Sequence, residues 1–102
     1  MTRSLVIPAD LGEGVEVRVL LWYKAEGERI GEGDAILEFE TDKAIVVVTA
    51  RQGGVLRRCF APAGEWLGAG QVAAWVSDGA DDPLPGDRGA PAEALLAAFE
   101  TT

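Results

Sequence analysis

Apolar and polar residues alternate along much of the chain, most clearly on either side of a charged break at residues 41–44. Residues 37–40 read Leu-Glu-Phe-Glu before the break, and residues 45–48 read Ile-Val-Val-Val after it. A period of two and an enrichment in β-branched residues are typical of strands. The pattern therefore predicts a hairpin formed by residues 35–40 and 44–48, with Asp42 and Lys43 at its tip.

Further strands are predicted wherever the alternation returns. They cover residues 4–8, 15–24, 55–61 and 72–76, and glycine- or acid-rich segments separate them. Glycine, proline and aspartate are the residues that turns favour, so these segments are expected to be loops. The first three quarters of the chain therefore predict an all-β domain.

An internal repeat organises these strands. The pattern Gly-Glu-x-apolar-Gly-x-Gly occurs at residues 27–33 and again at 64–70, an offset of 37 positions. At the same offset Val19 corresponds to Leu56. The repeat predicts two four-stranded antiparallel sheets related by a pseudo-two-fold axis. They would pack as a flattened sandwich or barrel, because a small sheet is marginal alone. The turn at 41–44 then lies at the crossover between the halves.

The composition changes after Ser77, where the chain becomes acidic and rich in glycine and proline. We therefore expect one folded domain over residues 1–78, followed over 79–102 by a linker and a short helix. The helix is predicted at 92–100, with Pro91 in its first turn. Its apolar residues would dock either on the sandwich or on a partner chain, and the sandwich is favoured; they are Leu95, Leu96 and Phe99.

Charge and composition exclude several classes of function. The 102 residues carry a net charge of −8, no histidine and one cysteine. A negative chain is expected to repel nucleic acid and anionic membranes, and no apolar run approaches the roughly 18 residues of a membrane span. Without histidine there is no His-based catalytic pair and no His-based metal site. A chain with one thiol and no signal segment is expected to be cytoplasmic. The missing histidines and the single thiol further predict that the chain is not an enzyme itself.

The turn and the repeat together resemble a known family. Glu40-Thr41-Asp42-Lys43-Ala44 in a hairpin between two matching halves is similar to the lipoyl domain of 2-oxo acid dehydrogenase complexes, in the biotinyl/lipoyl carrier family. The opening Pro-x-x-Leu-Gly-Glu-Gly of those domains is similar to residues 8–14. The resemblance covers residues 4–78, although Val17 stands where the family often has glycine.

The resemblance implies that Lys43 accepts lipoic acid through an amide bond, and that Glu40, Asp42 and Ala44 flank or display it. It also implies that the loop at residues 11–14 lies beside the lysine and contributes to recognition by the decarboxylating enzyme. The implied partners are a lipoate ligase or lipoyl transferase, the 2-oxo acid decarboxylase component, the dihydrolipoyl acyltransferase and dihydrolipoyl dehydrogenase. The domain would be a swinging-arm carrier.

Two other functions stay open at this point. A biotin carrier shares the fold, but such domains resemble one another in having methionines on both sides of the lysine. Here the neighbours are Asp42 and Ala44, and the sole methionine is Met1. The other alternative is an unmodified interaction module. The sequence favours the lipoyl carrier without distinguishing pyruvate, 2-oxoglutarate, branched-chain and acetoin systems, or a free-standing carrier from part of a longer chain.

Four further residues have structural interpretations. Glu28 and Glu65 occupy equivalent positions in the repeat and are interpreted as solvated turn residues rather than an acid–base pair. Cys59 lies in a predicted strand and is interpreted as a small core residue. Trp66 is expected either to cover the edge of the core or to offer a contact surface.

Overall fold

The computed structural model describes residues 1–87 and 93–102, and these form two five-stranded sheets packed over one core. The only helical segment in these ranges is a 3-10 turn at Ala9–Leu11, and no helix is long or apolar enough to cross a membrane. The strands are β1 (Thr2–Val6), β2 (Glu16–Trp22), β3 (Arg29–Ile30), β4 (Ala35–Glu40), β5 (Ile45–Ala50), β6 (Gly54–Cys59), β7 (Trp66–Gly68), β8 (Val72–Ser77), β9 (Glu93–Ala94) and β10 (Ala97–Thr101).

The two sheets are open rather than closed. The first has the order β3-β6-β8-β1-β9 and the second the order β10-β5-β4-β2-β7. All pairings are antiparallel except that of β1 with β9. The predicted all-β class is confirmed and the architecture is a sandwich, whereas a barrel and four strands per sheet were wrong. The short β3 and β7 lie inside glycine-rich segments that showed no strand pattern.

The repeat is visible in the strand order. Exchanging β1, β2, β3 and β4 with β5, β6, β7 and β8, and β9 with β10, converts the first sheet order into the second read in reverse. Each sheet therefore takes strands from both halves. The equivalent turns also bind across the halves. The N–H of Gly27 donates to the carbonyl of Leu56, and the N–H of Gly64 donates to that of Val19, both at 2.7 Å. The two halves therefore hold each other's strands in place.

The core lies between the sheets and follows the alternation seen in the sequence. Val17 and Val19 on β2 and Phe39 on β4 are fully buried, while Glu16 and Arg18 are exposed. Strand β8, the central strand of its sheet, is buried along its whole length. The apolar faces thus fix which side of β4 and β5 points inward, and thereby the direction in which their hairpin projects.

The predicted C-terminal helix was wrong. Glu93–Ala94 pairs in parallel with β1 and Ala97–Thr101 pairs antiparallel with β5, so this segment supplies the fifth strand of each sheet. An isolated helix of nine residues is marginal whatever its alanine content, whereas the unpaired edges of β1 and β5 offer backbone partners. Leu95 is buried, so docking on the chain's own sandwich is confirmed, as strands. Pro91 and Ala92 lie outside the described residues.

Candidate functional site

The tip of the β4–β5 hairpin is a tight turn organised by Thr41. The backbone N–H of Thr41 donates to the carbonyl of Ala44 at 2.8 Å. The hydroxyl of Thr41 accepts the N–H groups of Lys43 and Ala44, both at 3.1 Å, and lies 3.2 Å from the Ala44 carbonyl, to which it donates. One side chain therefore satisfies the backbone of the turn and fixes the position of Lys43 relative to both strands.

Lys43 is exposed at this tip. Within the two described ranges no salt bridge involves its ammonium group. The other lysine differs, because the Nζ of Lys24 lies 3.3 Å from a carboxylate oxygen of Asp34. Lys43 is thus a solvated amine on a rigid base, reachable by an enzyme that approaches from outside.

The three residues expected to flank Lys43 have different surroundings. Asp42 is exposed beside it at the tip, and Ala44 is half-buried where the turn joins β5. Glu40 lies opposite Arg18 on β2, with 3.7 Å between their charged groups. Arg18 was missed by sequence reasoning, since cross-strand pairing becomes visible only once the register of β2 and β4 is known.

The loop between β1 and β2 lies against the turn. Asp10, Leu11 and Val15 line an open depression of about 340 Å³ together with residues 41–43. The loop bends sharply at Gly12, whose φ of 122° favours glycine. The structure therefore places this loop beside the lysine turn, as expected for residues 11–14. The contact is made by Leu11 and by the residues that flank this segment, Asp10 and Val15.

The opposite end of the sandwich contrasts with the lysine end. The turn equivalent to 41–44 under the repeat is 78–81, and it is held by ion pairs. Arg3 contacts Asp78 at 2.5 Å, and the terminal ammonium of Met1 lies 2.5 Å from Asp82. The hydrogen bond from Arg3 is the main cause that lowers the pKa of Asp78. Ion pairs therefore fix the turn at one end of the pseudo-symmetric molecule, whereas the equivalent turn at the other end exposes Lys43.

The remaining candidates are structural. Cys59 is half-buried, and burial together with the nearby Glu26 raises the pKa of its thiol to about 12, so it is a poor nucleophile. The carboxylate of Glu28 accepts the N–H of Ala25 at 2.8 Å, which is a turn role. Trp66 is 57% exposed on the edge strand β7, so it offers a surface rather than covering the core.

Comparison with known proteins agrees with this geometry. A family model described as "biotin-requiring enzyme", covering biotin and lipoyl attachment domains, matches residues 5–75. The match includes the lysine turn, the β1–β2 loop and both halves of the repeat.

Three relatives illustrate the similarity. The lipoamide acyltransferase component of the branched-chain alpha-keto acid dehydrogenase complex of Mus musculus is 42% identical over 53 residues, which cover 51% of this chain and 11% of the relative. The dihydrolipoyllysine-residue succinyltransferase component of the 2-oxoglutarate dehydrogenase complex of Bacillus subtilis is 33% identical over 83 residues, 78% of this chain and 20% of the relative. The dihydrolipoyllysine-residue acetyltransferase component of the acetoin cleaving system of Pseudomonas putida is 45% identical over 64 residues, which cover 63% of this chain and 17% of the relative.

The chain thus spans about a tenth to a fifth of the length of these relatives. The matched part corresponds to one small domain, and the family model covers more than half of the chain. The chain therefore belongs to the biotin- and lipoyl-attachment family, and it is a carrier domain of that family.

Proposed function

We propose that the Nζ of Lys43 is the attachment point for lipoic acid, and that the domain carries this group between the active sites of a 2-oxo acid dehydrogenase complex. The observation that carries the proposal is the exposed Lys43, which has no ion pair among the described residues and stands on a turn held by Thr41, inside the region that matches the family. Amide formation consumes the amine and requires access by an external enzyme, and a hairpin tip provides that access.

The surroundings of Lys43 fit a carried group rather than a reaction at the lysine itself. A lysine that acts as a nucleophile in its own right needs desolvation or a neighbouring cation. Here the side chain is exposed and its neighbour Asp42 is acidic. When bound, lipoate supplies a dithiolane that takes up acyl groups and electrons. The chain's own residues hold the tether, and tethering replaces free diffusion by a high effective concentration.

Lipoate is favoured over biotin by two observations. The relatives are named as lipoamide or dihydrolipoyllysine components. Lys43 lies between Asp42 and Ala44, and the only methionine, Met1, is far away in the sequence. We therefore propose lipoate as the cofactor.

The proposed partners follow from the carrier role. A lipoate ligase or lipoyl transferase would load Lys43, and a decarboxylase, an acyltransferase and dihydrolipoyl dehydrogenase would act in turn on the loaded arm. We propose that the depression formed by Asp10, Leu11 and the turn is the surface these enzymes contact first, because it adjoins Lys43. Catalysis would belong to the partners and not to this domain.

The deciding experiment is the intact mass of the chain after incubation with a lipoate ligase and, separately, with a biotin ligase. Native protein is expected to gain one lipoyl group, Lys43→Ala none, and Lys24→Ala as much as native. Lys24 is a matched control because it is the only other lysine and is paired with Asp34. Equal gain by Lys43→Ala, or no gain by native protein, contradicts the proposal, and a gain of biotin instead assigns the domain to carboxylases.

A further inference from the structure

A second open groove lies next to the lysine depression. It has a volume of about 400 Å³, and its walls are mainly apolar. Asp10 and Leu11 line both hollows, so the groove continues from the surface beside Lys43. Its lining is Pro8, Asp10, Leu11, Phe39, Val46, Phe99 and Thr101.

The C-terminal strand builds one wall of this groove. Phe99 on β10 packs against Phe39 on β4, with ring centroids 6.5 Å apart. Phe99 nevertheless keeps 39% of its surface exposed, and Leu11 on the opposite wall keeps 36%. Strand β10 lies beyond the region matched by the family model, so this wall is an addition to the matched domain.

We propose that this groove is a resting site for the lipoyl arm of Lys43, an inference that rests on the proposed function. The ligand class is an apolar acyl chain that ends in a cyclic disulfide. The transfer of methylene groups out of water is favourable, and sulfur makes favourable contacts with exposed aromatic rings such as that of Phe99. Among the described residues that line the groove, Asp10 alone is charged, and amide formation leaves the arm itself uncharged.

The arm is long enough to enter the groove. From the Cα of Lys43 to the dithiolane ring it contains about eleven bonds, which span roughly 13 Å at about 1.2 Å per bond along an extended chain. The groove shares two lining residues with the depression that contains Lys43, so the arm need not cross the molecule. Because the arm is tethered, weak contacts suffice to populate the docked state.

A docked arm is shielded, and this gives a measurable difference. The lipoylated native chain and lipoylated variants are treated with a water-soluble phosphine, which reduces the dithiolane, and the thiols are trapped with iodoacetamide and counted by intact mass. If half to four-fifths of arms are docked, Phe99→Ala should be reduced about two- to five-fold faster than native protein. Leu96→Ala is the matched control, because Leu96 precedes the same strand but is 61% exposed and does not line the groove.

Two further measurements keep the test decisive if Phe99→Ala loosens β10. Leu11→Ser alters the opposite wall without touching β10 and should also speed reduction. In native protein, lipoylation should shift the amide resonances of Leu11 and Phe99 in addition to those of the turn.

The outcomes separate the two proposals. The resting site alone is overturned if the chain gains lipoyl mass but all variants are reduced at equal rates and the resonance shifts are confined to residues 41–44. Failure of the native chain to gain lipoyl mass overturns the proposed function and the resting site together. Resonances of Phe99 that move with protein concentration before lipoylation assign the groove to a second copy of the chain and overturn the proposal.

Discussion

Thr41 shows how a single side chain determines the presentation of the lysine. Its hydroxyl serves the N–H groups of Lys43 and Ala44, and neither Thr41 nor Asp42 adopts a positive φ. Sequence analysis placed Asp42 at the tip, and aspartate is the commoner turn former of the two. The signal for Thr41 was available, because threonine also forms side-chain turns with backbone groups two and three residues ahead, though more weakly.

Thr41→Val should therefore weaken both the turn and the loading of Lys43. The variant keeps the shape of the side chain and removes its hydrogen bonds, so we expect the free energy of unfolding to fall by about 1–2 kcal/mol. Lipoylation should slow several-fold because the lysine is held less firmly. Chemical denaturation and the initial rate of lipoylation, followed by intact mass, measure the two effects. Thr41→Ser keeps the hydroxyl and should restore both; a Ser variant as poor as Val would contradict the hydrogen-bond explanation.

At Asp34, the effect of the charge on stability can be separated from the effect of the hydrogen bond. The N–H of Gly31 first, and the ammonium of Lys24 second, hold the pKa of its carboxyl below the ordinary value of 3.8. The equivalent residue in the repeat, Gln71, accepts the N–H of Gly68 at 2.6 Å without a charge. The hydrogen bond is thus common to both halves, and the ion pair with Lys24 is particular to the first.

Asp34→Asn should change the dependence of stability on acid. A carboxyl whose pKa is lower in the folded state stabilises the fold above its unfolded pKa, and this contribution is lost as pH falls through the lower, folded pKa. Native protein should therefore exceed the variant in stability at pH 6, and the difference should shrink as pH falls below about 4. Urea denaturation at a series of pH values measures it. A difference that is constant from pH 6 to pH 2.5 would show that the charge of Asp34 is not responsible.

At the scale of elements, the alternation of apolar and polar residues predicted the central strands. It did not predict the strands that form only by pairing with segments distant in the sequence. Strands β4 and β5 follow the predicted bounds closely because their apolar residues face one core. Strands β3 and β7 are two and three residues long, and they exist because the other half of the repeat offers an edge. The C-terminal segment has high helix propensity, but the edge of β5 overrides it. The lysine tip could be predicted from sequence, and the groove beside it could not.

Strand β10 should stabilise β5 through its backbone. The carbonyl of Leu96 accepts the N–H of Arg51, and the N–H of Thr102 donates to the carbonyl of Ile45. The N–H and C=O groups of the even-numbered residues of β10 therefore point toward β5. Those of the odd-numbered residues point away from β5, to the outer edge of the sheet.

Glu100→Pro removes a donor that faces β5, whereas Thr101→Pro removes one that faces solvent, and both side chains are exposed. We expect Glu100→Pro to lower the free energy of unfolding by about 1–2 kcal/mol and to speed amide exchange in β5, with a much smaller effect of Thr101→Pro. Hydrogen exchange of the amides of Ile45–Ala50 is the measurement. Equal effects of the two prolines would mean that the alternation of backbone directions is not as inferred.

At the scale of the whole molecule, the exchange of strands between halves makes the lysine hairpin part of one cooperative unit. Strands β4 and β5 belong to different halves of the repeat, and the sheet that holds them is completed by β7 from the second half and β2 from the first. Neither half can form its sheet alone. The tip is therefore supported by the complete core, and a defect placed far from Lys43 should reach it through global stability.

Leu56→Ala tests this coupling. Leu56 is fully buried on β6, in the other sheet from Lys43, and its carbonyl holds the turn at Gly27. Truncation of a buried leucine typically costs about 2–5 kcal/mol. If the two halves unfold together, the protection of slowly exchanging amides in β4 and in β8 should fall by the same factor, because both exchange through the same global opening. A loss confined to β6 and β8 would instead mean that the sheet holding the Lys43 hairpin does not depend on the other sheet for its stability.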